Sequence, residues 1–283
     1  IVHEVIYDDV IKKATGVKVI DAETKETTIY NAKVIFMCAS TIASASILLQ
    51  SKSERFPNGL GNDSGELGHN IMDHHFKVGA SAKIDGFEDK YTKGRRANGV
   101  YIPRFRNLGG KTDTKDFKRG YGYQGGATRE SISELVAELK YGPQLKEAIL
   151  KPGEWNITLT GFGETLPDHS NRMYLDYEKL DEWGLPTVTF DADFGENELA
   201  MRIDMLEQAV QMLKAAGFKD VEGYDEVHNR AMGLGIHEMG TARMGRDPKT
   251  SVLNEFNQIH ACPNVYVTDG SFMTSAGCQN PSL

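Results

Sequence analysis

A nearly continuous apolar run followed at once by a helix pattern is the sequence feature that most limits the fold. The run occupies positions 33–38 (KVIFMC). It is typical of a strand that is covered on both faces in a parallel sheet. Ser40 or Thr41 can cap a helix predicted over residues 42–50, whose small side chains permit close packing on a sheet. The strand–turn–helix order predicts an α/β nucleotide-binding layer.

The rest of the chain predicts strands and two longer helices. The predicted elements are a hairpin of strands 17–20 and 28–30, short antiparallel strands from 76 to about 129, a helix over 131–150, strands over 156–160 and 172–175, a helix over 196–216 and a strand over 265–267. Apolar spacing in the second helix predicts a buried stripe formed by Leu199, Ile203, Leu206, Val210 and Leu213. The fold class is α/β (α+β overall). We expect a nucleotide-binding domain, residues 1–75 and 230–283, that encloses a substrate-binding domain, residues 76–229.

Charge and cysteine content exclude several classes of protein. The formal net charge of -8 argues against a nucleic-acid partner, which needs a clustered positive field. Three widely spaced cysteines give neither a disulfide framework nor a zinc pattern, and Cys38 is predicted to be a core residue. No apolar stretch is long enough to span a bilayer. The chain opens at Ile1 inside a strand pattern, so we expect an excerpt of a longer polypeptide, and the compartment stays open.

Three short stretches near the C-terminus carry the chemistry. The run 235–245 (GIHEMGTARMG) places His237 among glycines that let main chain approach a ligand. The run 267–271 (VTDGS) ends a strand with an acidic residue and a glycine. The run 277–282 (GCQNPS) places Asn280 before a proline, which favours extended backbone there.

Together these stretches resemble the C-terminal signature of the glucose-methanol-choline (GMC) oxidoreductase family: its H-x-x-G-T, V-x-D-G-S and N-P-[ST] motifs occur in that order. Residues 33–49 resemble the family's V-x-x-A-A-G-A element, with Ser40 in place of a glycine. Residues 65–74 and 164–186 are similar to two further family motifs, one ending in Asp73-His74. The resemblance implies an FAD-binding Rossmann-like layer that is partial here, with its first βαβ unit missing, and an inserted antiparallel-sheet substrate domain.

The resemblance also implies an activity and its residues. FAD accepts a hydride from a CH–OH group of a sugar, glycoside or other alcohol. A histidine is suited to accept the hydroxyl proton, and an amide can hold the same oxygen, so His237 is the implied general base and Asn280 its partner. The implied cofactor-binding residues are Val2, Ala39, Asp269, Gly270, Asn280 and Pro281. For Val2 and Ala39, plain core packing is the competing interpretation.

Some alternatives remain open. The residues Tyr121, Tyr123 and Gln124 could stack on and hydrogen-bond a sugar, or could be exposed strand residues. The family's G-x-G-x-x-G loop lies at its beginning, and no such loop precedes the strand-and-helix element here, so we expect the missing N-terminal half of the same protein to supply it and this portion alone to be inactive. A non-redox lyase and a flavin-free binding or assembly subunit on the same scaffold are the competing functions. The substrate and the electron acceptor stay open.

Overall fold

The computed structural model describes residues 1–75, 77–87, 89, 99–129, 142–143, 145–146, 153–227 and 231–281. Two compact units are present. The first unit comprises residues 1–74, 165–194 and 232–283, and the second comprises residues 75–164 and 195–231. Residues 165–194 thus belong with the first unit rather than with the rest of the predicted 76–229 domain, because Met173 packs into the first unit's core. The predicted helix 131–150 lies outside the described residues, apart from four positions near its C-terminal end.

The N-terminal strands of the first unit form an antiparallel sheet. Strands β1 (Val2–Asp8), β2 (Lys13–Ile20) and β3 (Thr27–Asn31) pair in the order β1-β2-β3. Asp21 closes the β2–β3 turn, since its carboxylate accepts two backbone N–H groups that follow it. The predicted hairpin is therefore confirmed.

A short parallel pair lies at the centre of the first unit. Strand β4 (Ile35–Met37) pairs in parallel with β13 (Cys262–Val267), and β12 (Gln258–Ile259) lies on the other side of β13. Helix α1 (Thr41–Gln50) follows β4 directly, which confirms the predicted strand–turn–helix order. One face of this layer is core, and its fully buried side chains include Ala45, Leu48, Leu253, Val265 and Val267.

The other face of β4 differs from the prediction. Ile35 and Met37 are buried, but Phe36 is 62% exposed and stacks on Tyr266 with ring centroids 4.9 Å apart. Within the described residues β4 is also the edge strand of its sheet. The run was predicted to be covered on both faces, and only one face is covered by the described part of the chain.

The turn between β4 and α1 is backbone-strained. Ser40, which precedes the first residue of α1, has φ 79° and ψ 163° and makes no side-chain capping bond. This conformation is almost restricted to glycine. Cys38, in the same turn, is exposed and lies 3.0 Å (Sγ to Oγ1) from Thr268. The prediction of a core cysteine was wrong, because Cys38 follows β4 after the strand has left the core.

A separate hairpin completes the first unit. Strands β9 (Arg172–Leu180) and β10 (Pro186–Asp191) pair only with each other among the described strands. Residues 167–170, which precede this hairpin, do not connect two paired strands, because the strand before them belongs to the second unit.

The second unit is an antiparallel sheet with one long helix. Its five strands, in the sheet order β11-β5-β8-β7-β6, are β5 (Val78–Ile84), β6 (Gly99–Ile102), β7 (Tyr121–Arg129), β8 (Trp155–Gly163) and β11 (Lys219–Asp225). Helix α2 (Glu196–Ala215) packs on β5, β8 and β11. The predicted antiparallel sheet is confirmed for the described strands. None of the helices in the described ranges is long and apolar enough to cross a membrane.

The buried face of α2 matches the predicted stripe only in part. Leu213 is buried and Leu206 and Val210 pack against the core, whereas Leu199 and Ile203 are exposed. The fully buried apolar residues of the face also include Met201, Met205 and Ala209. The methionines fit where the sheet lacks side chains: a Cβ on Gly161 would lie 2.4 Å from Met205 Cε. Flexible thioethers fill such gaps well, and a count of branched apolar residues overlooks them.

Replacing Ser40 by glycine removes the backbone strain. We expect Ser40→Gly to raise the free energy of unfolding by about 1 kcal/mol, since the strain costs ~1–3 kcal/mol and glycine's extra chain entropy offsets part of the gain. The measurement is the urea unfolding midpoint. The matched control, Ser46→Gly inside α1, is expected to lower stability by about 0.5 kcal/mol. A loss of stability in Ser40→Gly would contradict the strained turn.

Two truncations in α2 distinguish the observed buried face from the predicted one. We expect Met205→Ala to lower the free energy of unfolding by about 2–5 kcal/mol, because it opens a cavity against Gly161. Ile203→Ala removes a side chain that is 63% exposed and is expected to change stability by less than about 0.5 kcal/mol. Denaturant unfolding of both variants checks this, and the opposite ranking would restore the stripe containing Ile203.

Candidate active site

The carboxyl ends of β4 and β13 bring two predicted cofactor residues together. Ala39 follows β4, Asp269 follows β13, and α1 begins beside them. The Ser44 hydroxyl on α1 donates to the Asp269 carboxylate and accepts the Ala39 N–H over 3.2 Å. Ligands of open α/β sheets bind outside the carboxyl ends of the strands, and the first N–H groups of a helix attract anions. The carboxyl ends of β4 and β13, with the N-terminus of α1 beside them, therefore have the arrangement in which open α/β sheets bind dinucleotides.

Asp269 also caps the turn that follows. Its carboxylate accepts the Ser271 N–H over 3.0 Å at the start of a short 3-10 helix, Gly270–Phe272. Gly270 is tightly packed, since a Cβ there would lie 2.5 Å from Thr41 Oγ1. Packing against Thr41 is thus sufficient to require a glycine at this position, and the contact of Gly270 with the cofactor remains a prediction.

Two of the motif stretches pair with each other along their main chains. Met72 and Met239 exchange both backbone hydrogen bonds, at 2.9 and 2.8 Å. Gly240 has φ 87°, and a Cβ on it would lie 2.0 Å from the Asn70 carbonyl oxygen. Only glycine fits such a close approach at positive φ. The segment that ends in His74 therefore fixes the path of the segment that carries His237.

The same loop is bonded to the cofactor edge. The Gly240 N–H donates to the Gly270 carbonyl over 3.2 Å, and the Ala242 N–H donates to the Ser271 carbonyl over 3.0 Å. The Thr41 hydroxyl at the start of α1 donates to the Glu238 carbonyl over 2.5 Å. The turn after His237 and the carboxyl ends of β4 and β13 are consequently one hydrogen-bonded structure.

A buried carboxylate holds the backbone on both sides of His237. Asp73 is buried and accepts the N–H groups of His74, Gly235 and His237, at 2.7, 2.6 and 3.0 Å. Gly235 lies so close that a Cβ would be 2.3 Å from the His74 carbonyl oxygen. Backbone N–H groups donated to a carboxylate are strong hydrogen bonds, so Asp73 determines the position of the His237 main chain.

The His237 ring contacts a second, buried imidazole. His237 Nδ1 lies 2.9 Å from His74 Nδ1, and the two rings are nearly perpendicular at 80°. The other nitrogen of His74, Nε2, is hydrogen-bonded to the Gly277 carbonyl oxygen. His74 thus joins the His237 loop to the stretch that leads to Asn280.

Burial shifts the titration of all three groups. It raises the pKa of Asp73 from 3.8 to about 6, against the opposing effect of the backbone N–H groups of His237 and Gly235. It lowers the pKa of His74 from 6.5 to about 4. Burial also lowers the pKa of His237 below 6.5, with Glu238 acting in the opposite direction. Both imidazoles are therefore neutral at pH 7.

The remaining predicted residues of this unit lie at its surface. Asn280 is exposed and Pro281 is half-buried, three and four residues after Gly277. The adjacency of Asn280 to His237 remains a prediction. Val2 is 42% exposed in β1, so its alternative interpretation as a fully buried core residue was wrong, and so was that of Ala39, which is also exposed.

The predicted sugar-contacting tyrosines lie in the core of the second unit. Tyr121 and Tyr123 are both 0% exposed, and their hydroxyls donate to the Asp204 carboxylate and the Met205 carbonyl oxygen of α2. Neither alternative, stacking on a sugar or lying exposed on a strand, fits these positions. Gln124 on the same strand is half-buried, and its contact with a sugar remains a prediction. Helix α2 supplies the acceptor for each tyrosine hydroxyl, and the composition of the region does not indicate this.

Sequence reasoning missed Asp73 and His74 as site residues. The pair appears in the sequence analysis only as the end of a family motif. In the structure the His74 ring contacts His237 within the first unit. Their signal was a carboxylate next to an imidazole at the end of the run 65–74 (GELGHNIMDH).

Family models agree on what the chain resembles. Two models described as GMC oxidoreductase match residues 1–76 and residues 167–283.

Among curated proteins, 2-methyl-1,2-propanediol dehydrogenase of Mycolicibacterium austroafricanum is 32% identical over 95% of this chain and 49% of its own length. Fructose dehydrogenase large subunit of Gluconobacter japonicus is 26% identical over 89% of this chain and 45% of its own length. The chain spans about half the length of these relatives. A solved structure, pyridoxine 4-oxidase from Mesorbium loti, matches 98% of this chain and 53% of its own with a TM-score of 0.60 at 16% identity, which shows a shared fold.

Removing the charge of Asp73 tests whether its hydrogen bonds stabilise the loop that carries His237. We expect Asp73→Asn to lower the free energy of unfolding by about 2 kcal/mol at pH 7.5, because hydrogen bonds to a charged acceptor are replaced by one weaker acceptor and a repelling NH₂ group. Thermal and urea unfolding measure the change. Asp220→Asn on exposed β11 is the control and is expected to leave stability within about 0.5 kcal/mol. Equal stabilities of the two variants would contradict the role of Asp73.

Proposed function

This chain belongs to the GMC oxidoreductase family, and we propose that it forms the C-terminal half of an FAD-dependent oxidoreductase acting on a CH–OH group of a sugar, glycoside or other alcohol. The observation that carries the proposal is the hydrogen bonding of the His237 loop to the segment after Asp269. Through it, a neutral imidazole and a dinucleotide-fitting strand edge are parts of one rigid arrangement. A redox cofactor and a proton acceptor must be placed together to oxidise an alcohol.

The roles of the cofactor and of the protein side chains follow from the chemistry of alcohol oxidation. FAD, the cofactor of this family, supplies the hydride acceptor when bound. His237 accepts the hydroxyl proton of the substrate, so the O–H bond breaks as an N–H bond forms on the imidazole. Asn280 donates its amide N–H to the same oxygen and holds it in place. Asp73 positions the His237 main chain throughout.

The cofactor contacts belong to the first unit. Ala39, Asp269 and Gly270 approach the dinucleotide at the carboxyl ends of β4 and β13, and Val2 and Pro281 contact it further along. The antiparallel sheet of the second unit, with Gln124, contributes to the substrate side. Residues that precede this chain in the whole protein provide the glycine-rich phosphate loop.

The relatives support the substrate class. The names of two curated relatives, a propanediol dehydrogenase and a fructose dehydrogenase, describe oxidation of a diol and of a sugar. A third is named paromamine 6'-oxidase, from Streptomyces fradiae, at 28% identity over 89% of this chain and 43% of its own length. All three names fit a CH–OH donor, and they favour an oxidoreductase over a lyase or a flavin-free subunit.

Replacing His237 tests the proposal in the full-length protein loaded with FAD. We expect His237→Ala to slow anaerobic flavin reduction by a panel of sugars and alcohols ~10²–10⁴-fold, which is the usual contribution of a general base, and to leave FAD content unchanged. His169→Ala, on the exposed His169, is the control with normal rates. For the wild type, the acid limb of kcat/KM is expected below pH 6.5, because burial lowers the pKa of His237 and the neutral form is the active one.

Three outcomes would contradict the proposal. Turnover of a substrate without bleaching of the flavin indicates a lyase, and unchanged flavin reduction in His237→Ala shows that another group accepts the proton. Full-length protein that contains no flavin indicates a binding or assembly subunit.

A further inference from the structure

The two ring nitrogens of His74 have different partners, and the partners dictate where the hydrogen lies. Nε2 is bonded to the Gly277 carbonyl oxygen, and a carbonyl oxygen only accepts. Nε2 must therefore carry a hydrogen. Burial lowers the pKa of His74 to about 4, so near neutral pH the ring has a single N–H, and Nδ1 has none.

The contact between the imidazoles then assigns the hydrogen on His237. An unprotonated Nδ1 of His74 can only accept, and it lies 2.9 Å from His237 Nδ1. His237 Nδ1 must donate, so the neutral His237 ring carries its hydrogen on Nδ1 and leaves Nε2 unprotonated. Which nitrogen is a base is set in this way by the bond that the other nitrogen makes.

We propose that His74 is a positioning residue: its Nδ1 fixes the tautomer and the ring orientation of His237, so that His237 Nε2 is the atom that accepts the substrate proton. The inference rests on the proposed function for the identity of the proton donor, and on the two hydrogen bonds of His74 for the choice of nitrogen. When the proton arrives, the O–H bond breaks and an Nε2–H bond forms. The Nδ1–H of His237 continues to donate to His74.

A neutral imidazole has a different effect on the base from that of a carboxylate in the same place. A carboxylate would stabilise the protonated ring and raise its pKa, whereas His74 supplies orientation with little charge. Among the described residues, the charged groups around His237 include Asp73, which accepts backbone N–H groups, and Glu238, the next residue along the chain.

The first experiment observes the tautomer directly. The full-length protein is labelled with [15N]histidine, and the imidazole nitrogens are recorded by NMR near pH 7.5, with His237 assigned from the spectrum of His237→Asn. We expect His237 to show a protonated Nδ1 and an unprotonated Nε2. The reverse pattern overturns the inference, even if His237→Ala confirms the proposed function.

The second experiment varies His74 in the FAD-loaded full-length protein. His74→Phe keeps the ring volume but has no acceptor, and we expect flavin reduction at saturating substrate to slow at least about tenfold with KM and FAD content within twofold. His74→Asn retains an acceptor near the position of Nδ1 and is expected to recover most of that loss. If both variants lose activity equally, or if KM rises while kcat is unchanged, His74 is a packing residue only and the inference fails. Should His74→Phe not fold, the wild-type tautomer decides the question.

Discussion

A buried carboxylate that accepts three backbone N–H groups is the interaction on which the rest of the first unit depends. Asp73 binds the main chain of His74, Gly235 and His237, and so joins two segments that are more than 160 positions apart in sequence. Burial makes the charge costly, which is why its pKa is raised to about 6, and the N–H groups offset part of the cost. Burying this carboxylate costs free energy, but it also fixes the backbone around it, because the N–H groups that donate to it have few other acceptors in the interior.

From this carboxylate the organisation extends through main-chain contacts rather than through side chains. The loop after His237 pairs with Met72, and its glycine turn donates to the segment beyond Asp269. Gly240 permits the close approach that brings these strands of backbone together. The consequence is that hydrogen-bonded main chain of the first unit determines where the His237 backbone lies.

Much of the fold follows from patterns that the sequence displays openly. The β2–β3 hairpin, the β4–α1 connection and the long helix α2 were all predictable, because periodicity and turn residues report local structure. The site was predictable in part: His237 and Asp269 stand in glycine-containing motifs. The partner of His237 was not, since a contact between residues 74 and 237 leaves no mark on local periodicity. Tyr121 was misjudged because α2 provides an acceptor for its hydroxyl, and only the packed sheet shows this. The stripe on α2 was predicted only in part, because methionines opposite a glycine were given less weight than branched residues.

The unprotected side of β4 has a consequence for handling the molecule. Parallel strands are stable when both of their surfaces are covered, and an open edge with an apolar neighbour is a template for pairing with another chain. The stacked Phe36 and Tyr266 lie on such a surface. Among the described residues, the free edge of β4 is therefore a surface through which the polypeptide can pair with a further strand and aggregate.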